Sequence, residues 1–321
     1  MKAIVYHRYG SPDVLKCADI ERPTPKDNEV LIKVRAASAN PIDWHFMRGT
    51  PYFMRIMTGL RKPKITTAGV DVAGEVEAIG RKVTRIKPGD EVFGTCRGAF
   101  AEYACLSESA FDTKPNNMTF EQAASVPVAA LTALQALRDK GHIQTGQKLL
   151  INGAAGGVGT FAVQIAKSFG ADVTGVCSTR NVEMVRSIGA DRVIDYTQED
   201  FTKTGQRYDL ILDNISNHSL FACRRLLNPN GILLIVGAKD LRTLLTRALT
   251  GFVLSLFTRQ KFLMFIAKLN REDLTFVGEL MMAGKVIPVI DRRYRLSEVS
   301  EAIRLLEGGH ARGKIIITVG R

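Results

Sequence analysis

The chain has 321 residues, 45% of them hydrophobic and 24% charged, with five scattered cysteines and a net charge of +12. This balance excludes extended disorder, collagen-like and coiled-coil architectures, and the length suits two domains of ~100–200 residues each. No run reaches the ~20 continuous apolar residues of a membrane span, and the odd, dispersed cysteines suggest neither a disulfide framework nor a zinc-type pair. Residues 31–36 alternate, with Ile32, Val34 and Ala36 on one face and Lys33 and Arg35 on the other. Residues 70–78 repeat the pattern, placing Val70, Val72, Gly74, Val76 and Ala78 against Asp71, Glu75 and Glu77. Period-two texture with one wet face predicts antiparallel strands. Pro88-Gly89-Asp90 marks a turn before the next strand, EVFG. Residues 1–120 thus read as a β-rich domain. Thr119 and Gln122 form a capping box that starts a helix, which Pro127 must interrupt.

From Lys148 the texture changes. Apolar strand cores at 149–151, 173–177, 209–213 and 232–237 are separated by helical stretches, which predicts a parallel sheet covered on both faces. The chain closes with an expected strand at 286–291, a short helix from Ser297 to about Glu307, and a strand at 314–319. The most informative segment is 148–170, where a strand runs into Ala154-Ala155-Gly156-Gly157-Val158-Gly159 and a helix follows at once. Missing Cβ atoms let backbone approach a pyrophosphate, and the helix N-terminus behind it offers unpaired N–H groups. With the next strand about 20 residues on, this reads as a dinucleotide site. An NAD site usually carries an acid at the tip of that next strand; here Ser178-Thr179-Arg180-Asn181 follows, and the first acid is Glu183. A hydroxyl and a guanidinium suit a 2′-phosphate, so NADPH is preferred over NADH. The alternative reading makes Ser178 and Arg180 an ordinary solvated loop.

Half of the positive excess lies in 239–271, with seven Lys/Arg against Asp240. No nucleic-acid module accompanies it, so nucleic acid is not the expected partner. Within 242–271, Leu245, Leu249, Phe252 and Leu256 recur at helical spacing beside Arg247 and Arg259. Three readings compete: a lid over an acceptor pocket, a homodimer face, or docking on an anionic membrane. The N-terminus, MKAIVY, shows none of a signal peptide's regions, which makes a cytoplasmic protein the expectation.

Taken with its flanks, the stretch from Gly146 to Lys167 resembles the signature of the zinc-independent medium-chain dehydrogenase/reductases, in the quinone oxidoreductase-like branch. Asn40-Pro41-Ile42-Asp43, the run at 68–80, KPGDEVFG at 87–94 and SVPVAALTA at 125–133 carry the same resemblance along the chain. It implies an α/β fold: a GroES-like catalytic domain at 1–120, completed by 286–321, and a Rossmann cofactor domain at 121–285. Asn40 stands where zinc-using relatives have a cysteine, and Val70 and Asp71 where they have a His-Glu pair. Valine cannot ligate, and a catalytic zinc takes three protein ligands, so no metal is expected.

The resemblance further implies NADPH-dependent hydride transfer to a quinone or an α,β-unsaturated carbonyl. Conjugation activates such an acceptor, and its oxygen needs only hydrogen-bond stabilisation. The family places the Asn40 region beside the nicotinamide, which makes Asn40, Asp43 and Tyr52 the catalytic candidates, with His45 next. Their rival readings are turn and helix caps for Asn40 and Asp43, and a surface aromatic for Tyr52. On the cofactor side the resemblance assigns Ala155, Gly156, Gly157, Val158 and Gly159 to the pyrophosphate and Ser178 and Arg180 to the 2′-phosphate. Tyr196 falls at the adenosine end, with core packing as its rival role, and Thr132, Asn214 and Gly237 at the nicotinamide half. Alcohol or aldehyde dehydrogenase chemistry, and a low-turnover cofactor-binding scaffold at a membrane, are the alternative functions.

Overall fold

Strand β1 (Lys2–Val5) pairs antiparallel with β2 (Lys16–Asp19), and the chain then enters a long strand, β3 (Glu29–Ala39). Ile32, Val34 and Ala36 are buried while Lys33 and Arg35 face solvent, as alternation requires. Asn40-Pro41 ends β3: a residue before proline is held extended, and Asn40 sits at φ −133°, ψ 157°, with Pro41 opening α1 (Pro41–Arg48). A short helix, α2 (Met54–Thr58), precedes strands β4 (Asp71–Ile79), β5 (Glu91–Thr95), β6 (Tyr103–Ser107) and β7 (Phe111–Thr113). The Thr119/Gln122 capping box starts α3 (Phe120–Ala124), and Pro127 begins a separate helix, α4 (Pro127–Gln135).

The second half runs β8 (Lys148–Asn152), α5 (Gly157–Ser168), β9 (Asp172–Cys177), α6 (Val182–Ser187), β10 (Arg192–Asp195), β11 (Tyr208–Asp213), α7 (Leu220–Arg225), β12 (Leu227–Ile235) and β13 (Lys261–Met264), with only a 3-10 turn at Phe201–Lys203 between β10 and β11. The chain finishes with α8 (Arg271–Met282), β14 (Ile290–Arg295), α9 (Val299–Glu307) and β15 (Lys314–Thr318). The computed structural model describes residues 1–236, 246–247, 249–251, 253–255, 258–309 and 311–320.

Two units result: Met1–Leu131 with Leu269–Gly284 and Pro288–Arg321, and Thr132–Lys268 with Lys285–Ile287. The first holds a seven-stranded sheet in the order β14-β15-β3-β4-β5-β7, with β6 paired to β3. Its core is built on Ile32, Val34, Val72, Val76, Phe100, Leu106, Phe111 and Ile317. Helix α8 belongs to this unit: Arg271 lies 3.8 Å from Asp112, Thr275 hydrogen-bonds the same carboxylate, and Asn117 Nδ2 donates to the Met281 carbonyl at 3.2 Å. The second unit holds a six-stranded, wholly parallel sheet in the order β10-β9-β8-β11-β12-β13, with Leu150, Val176, Ile211 and Leu233 in its core.

The strand expected at 286–291 forms instead at Ile290–Arg295. Pro288 has no N–H to give a ladder. The backbone of Ile287 is held in the second unit by Gln164, whose Oε1 accepts from its N–H at 2.7 Å and whose Nε2 donates to its carbonyl at 3.0 Å.

Candidate functional site

In the first unit, three neighbouring strand ends define a polar centre. Register sets Asp71 opposite Ser38 and Ile315 opposite Ala39, so the last residues of β3, the first of β4 and the first of β15 meet. Four side chains gather there, each under a tenth exposed: Asn40 2%, Asp43 7%, Asp71 0% and Lys314 3%. The Asn40 amide is fully engaged: Nδ2 donates to Asp71 Oδ2 at 2.8 Å and to the Ser38 carbonyl at 3.2 Å, while Oδ1 accepts from Lys314 Nζ at 2.6 Å. Lys314 Nζ lies 3.5 Å from Asp71 Oδ2, and Asp71 Oδ1 accepts from the Val128 N–H at 3.1 Å. At the third residue of α1, Asp43 Oδ2 accepts from the Asn40 N–H at 2.7 Å, and its Oδ1 is buried without a partner.

Burial works against both charges of the Asp71–Lys314 pair, raising the carboxyl and lowering the amine, while their attraction opposes it. Burial, with Asp71 nearby adding to it, pushes Asp43 up to about 8. Asp43 is therefore largely neutral at pH 7.

Alternation had placed Asp71 on a wet face with Glu75 and Glu77. Those two are exposed, but Asp71 is not, because the start of α4 covers that end of β4 and donates Val128 N–H to it. Lys314 escaped the sequence reading: a lysine heading an apolar run carries no periodic signal.

The other two candidates of this unit behave differently. His45 Nδ1 contacts the Thr50 carbonyl at 2.7 Å, its ring stacks on Trp44, and burial lowers its pKa. Tyr52 is 70% exposed, with the Arg55 guanidinium 4.7 Å from its ring centre.

In the second unit, β8 ends in a turn that hands the chain to α5. A Cβ on Gly159 would lie 2.1 Å from the Gly153 carbonyl oxygen, so this glycine permits tight helix–strand approach. On Gly156 a Cβ would meet the Gly153 oxygen at 3.5 Å and nothing nearer, which leaves its outer side open to a ligand. Gly156 caps α5 without a side chain, and the N–H groups of Gly157, Val158 and Gly159 make no hydrogen bond among the described residues. Uncapped donors at a helix N-terminus form an anion cradle. Ala155 is buried within the same turn.

At the tip of β9, Ser178 Oγ accepts from Asn181 Nδ2 at 3.2 Å, and Arg180 is exposed. The Tyr196 N–H donates to the Cys177 carbonyl at 3.0 Å, which sets this 56% exposed ring beside the same tip. Thr179 and Thr197 hydroxyls link the two strand ends at 2.7 Å. Asn214 follows β11, and both polar atoms of its amide are buried without a partner. Thr132 lies in α4, 9% exposed. Gly237 lies outside the described residues, as do Leu245, Phe252 and Leu256 of the basic segment. Arg247 of that segment is turned inward: Nη2 donates to the Ser216 and His218 carbonyls at 2.6 Å each, and Nη1 lies 3.5 Å from Asp213 Oδ2. An open backbone cradle, hydroxyl and guanidinium at the next strand tip, and an orphaned amide at a third strand end together fit a dinucleotide.

Comparison with known proteins supplies the chain's relatives. A family described as alcohol dehydrogenase GroES-like domain matches residues 26–116, and one described as zinc-binding dehydrogenase matches 188–317. The chain is 36% identical over 333 residues to a chloroplastic quinone-oxidoreductase homolog of Spinacia oleracea, covering 99% of this chain and 98% of that one. It is 35% identical over 336 residues to an NADPH-dependent alkenal/one oxidoreductase of Arabidopsis thaliana, covering 99% and 79%. Among solved structures, the quinone oxidoreductase from Coxiella burnetii superposes with a TM-score of 0.89 at 33% identity, covering 100% of this chain and 99% of that one.

Proposed function

Because the chain belongs to the medium-chain dehydrogenase/reductase superfamily, in its quinone oxidoreductase-like branch, we propose that it is an NADPH-dependent reductase of quinones or α,β-unsaturated carbonyls that works without a metal ion. Kinship makes it an oxidoreductase of the quinone oxidoreductase type with a nicotinamide cofactor. The choice of NADPH rests on one observation: Ser178 and exposed Arg180 stand at the tip of β9 where an NAD enzyme usually has a carboxylate. A carboxylate there would repel a 2′-phosphate, whereas hydroxyl and guanidinium donate to it.

In this reading the uncapped turn of α5 holds the pyrophosphate through Ala155, Gly156, Gly157, Val158 and Gly159, and Tyr196 flanks the adenosine. Thr132, Asn214 and Gly237 serve the nicotinamide half, and the bound nicotinamide supplies the hydride. On the acceptor side, the exposed Tyr52 hydroxyl donates to the carbonyl oxygen as negative charge develops there. Asn40, whose amide is fully engaged, fixes the start of α1, and Asp43 holds a proton near neutral pH for return to the reduced acceptor. Zinc independence is supported by the donor set: Asn40, Val70 and Asp71 occupy the ligand positions, and the Lys314 ammonium contacts Asn40 and Asp71.

The test is NADPH oxidation by purified protein against quinones, enones and a saturated ketone, with and without chelator. Turnover of quinones or enones that survives chelation is expected. Turnover of the saturated ketone, or tight NADPH binding with no acceptor reduced, would overturn the reading.

A further inference from the structure

Between Asp43 and Asp71 the chain has no acidic residue. In the middle of that stretch, Tyr52 is 70% exposed, Phe53 44%, Ile56 71% and Leu60 71%. Single exposed apolar side chains need no explanation, but Phe53, Ile56 and Leu60, three within eight residues beyond the acceptor-side Tyr52, do. The segment that carries them is pinned. Tyr9 Oη contacts Thr58 Oγ1 at 2.9 Å and donates to the Gly59 carbonyl at 2.6 Å. Arg55 Nε donates to the Gly49 carbonyl at 2.9 Å, and its guanidinium lies 4.4 Å from the Tyr9 ring centre.

The Lys64 N–H returns to the Thr58 carbonyl at 2.8 Å, folding residues 59–64 back beside α2. Arg61, Lys62 and Lys64, all exposed, lie in this folded-back segment directly after the apolar side chains in the chain. Arg48 is paired with Glu307 and Arg55 is locked over Tyr9, whereas none of these three is in an ion pair among the described residues.

We propose that residues 53–64 form a docking surface for an anionic lipid bilayer, with Phe53, Ile56 and Leu60 entering the headgroup region and Arg61, Lys62 and Lys64 meeting the lipid phosphates. Charge complementarity selects this occupant. An acid-free cationic segment beside exposed apolar side chains matches a surface that is anionic outside and apolar beneath. The inference does not depend on which cofactor or acceptor the protein uses.

Cosedimentation with vesicles tests it. The protein is expected to bind phosphatidylcholine vesicles containing phosphatidylglycerol, to release in high salt, and to ignore pure phosphatidylcholine. Combining R61E, K62E and K64E should weaken binding on the order of 100-fold or more, and Ile56→Asp by about tenfold or more. NADPH titration of each variant checks that the second unit is intact, and circular dichroism checks the first. Equal binding to both vesicle types, or unchanged binding by either variant, overturns the proposal. Self-association that Ile56→Asp abolishes, without vesicle binding, overturns it in favour of a second copy of the chain.

Discussion

The polar centre around Lys314 and the glycine turn of α5 both lie at strand ends, yet they are built on opposite terms. Around Lys314 the side chains answer one another: amide to carboxylate, ammonium to amide, backbone N–H to carboxylate, with Asp43 Oδ1 and Ser38 Oγ as the loose ends. In the glycine turn the donors point outward and the amide of Asn214 is left unanswered. In a closed polar cluster each group offsets the cost of burying the others, so that removing one strands a buried charge. An open one keeps its hydrogen-bonding capacity for something that arrives later.

Substitutions should separate the two centres. The largest effect is expected from Lys314→Met, which leaves Asp71 buried without its cation: a loss of about 3–5 kcal/mol in denaturant unfolding. Any protein that still folds should keep its affinity for NADPH; loss of cofactor binding without loss of stability would break the contrast. Arg180→Ala reverses the pattern, with NADPH binding weakened by ~1.5–3 kcal/mol, NADH binding nearly unchanged and stability intact. Equal losses for both cofactors in titration would remove Arg180 from the phosphate site. Gly159→Ala and Gly156→Ala divide the turn itself. The first forces a methyl against the Gly153 carbonyl and should cost roughly 1–3 kcal/mol of stability; the second should leave stability unchanged and reduce NADPH affinity alone. If their melting temperatures fall together, the open side of Gly156 is not a ligand site.

Read over a single pH unit, the last effect is the smallest. The folded protein holds the Asp43 proton up to about 8, whereas the unfolded chain releases it in the ordinary carboxylate range. More protons on the folded state means that stability falls as pH rises from about 4 to about 8, by at most ~1.4 kcal/mol per pH unit. Asp43→Asn, neutral throughout, is expected to flatten that decline in unfolding measurements. Identical slopes for both proteins would show that the carboxyl is ionised in the fold.

The open centre was legible in the sequence because backbone does its work. Gly156, Gly157 and Gly159 stand together between a strand and a helix, and their spacing is the geometry. The closed centre was half legible. Asn40 and Asp43 sit three residues apart and declare a helix start, but Lys314 comes from a strand more than 270 positions away in the chain, and only sheet register brings it in. Asp71 misled for a related reason: alternation reports which face a residue takes, and not whether α4 covers that face. The same limit applies to 286–291, where an apolar pattern marked a strand but Gln164, remote in sequence, holds the backbone of Ile287 elsewhere.

Strand β15 pairs with β3 in the first unit's sheet although it comes long after it in the chain. A ribosome therefore releases all of β8 to β13 before it releases the residue that neutralises Asp71. The nascent chain must carry an unfinished N-terminal sheet, with an uncompensated carboxylate at its heart, while the parallel sheet is already free to assemble. What is translated first is completed last, and removal of residues 314–318 would leave β3 without that neighbour and Asp71 without its counter-charge.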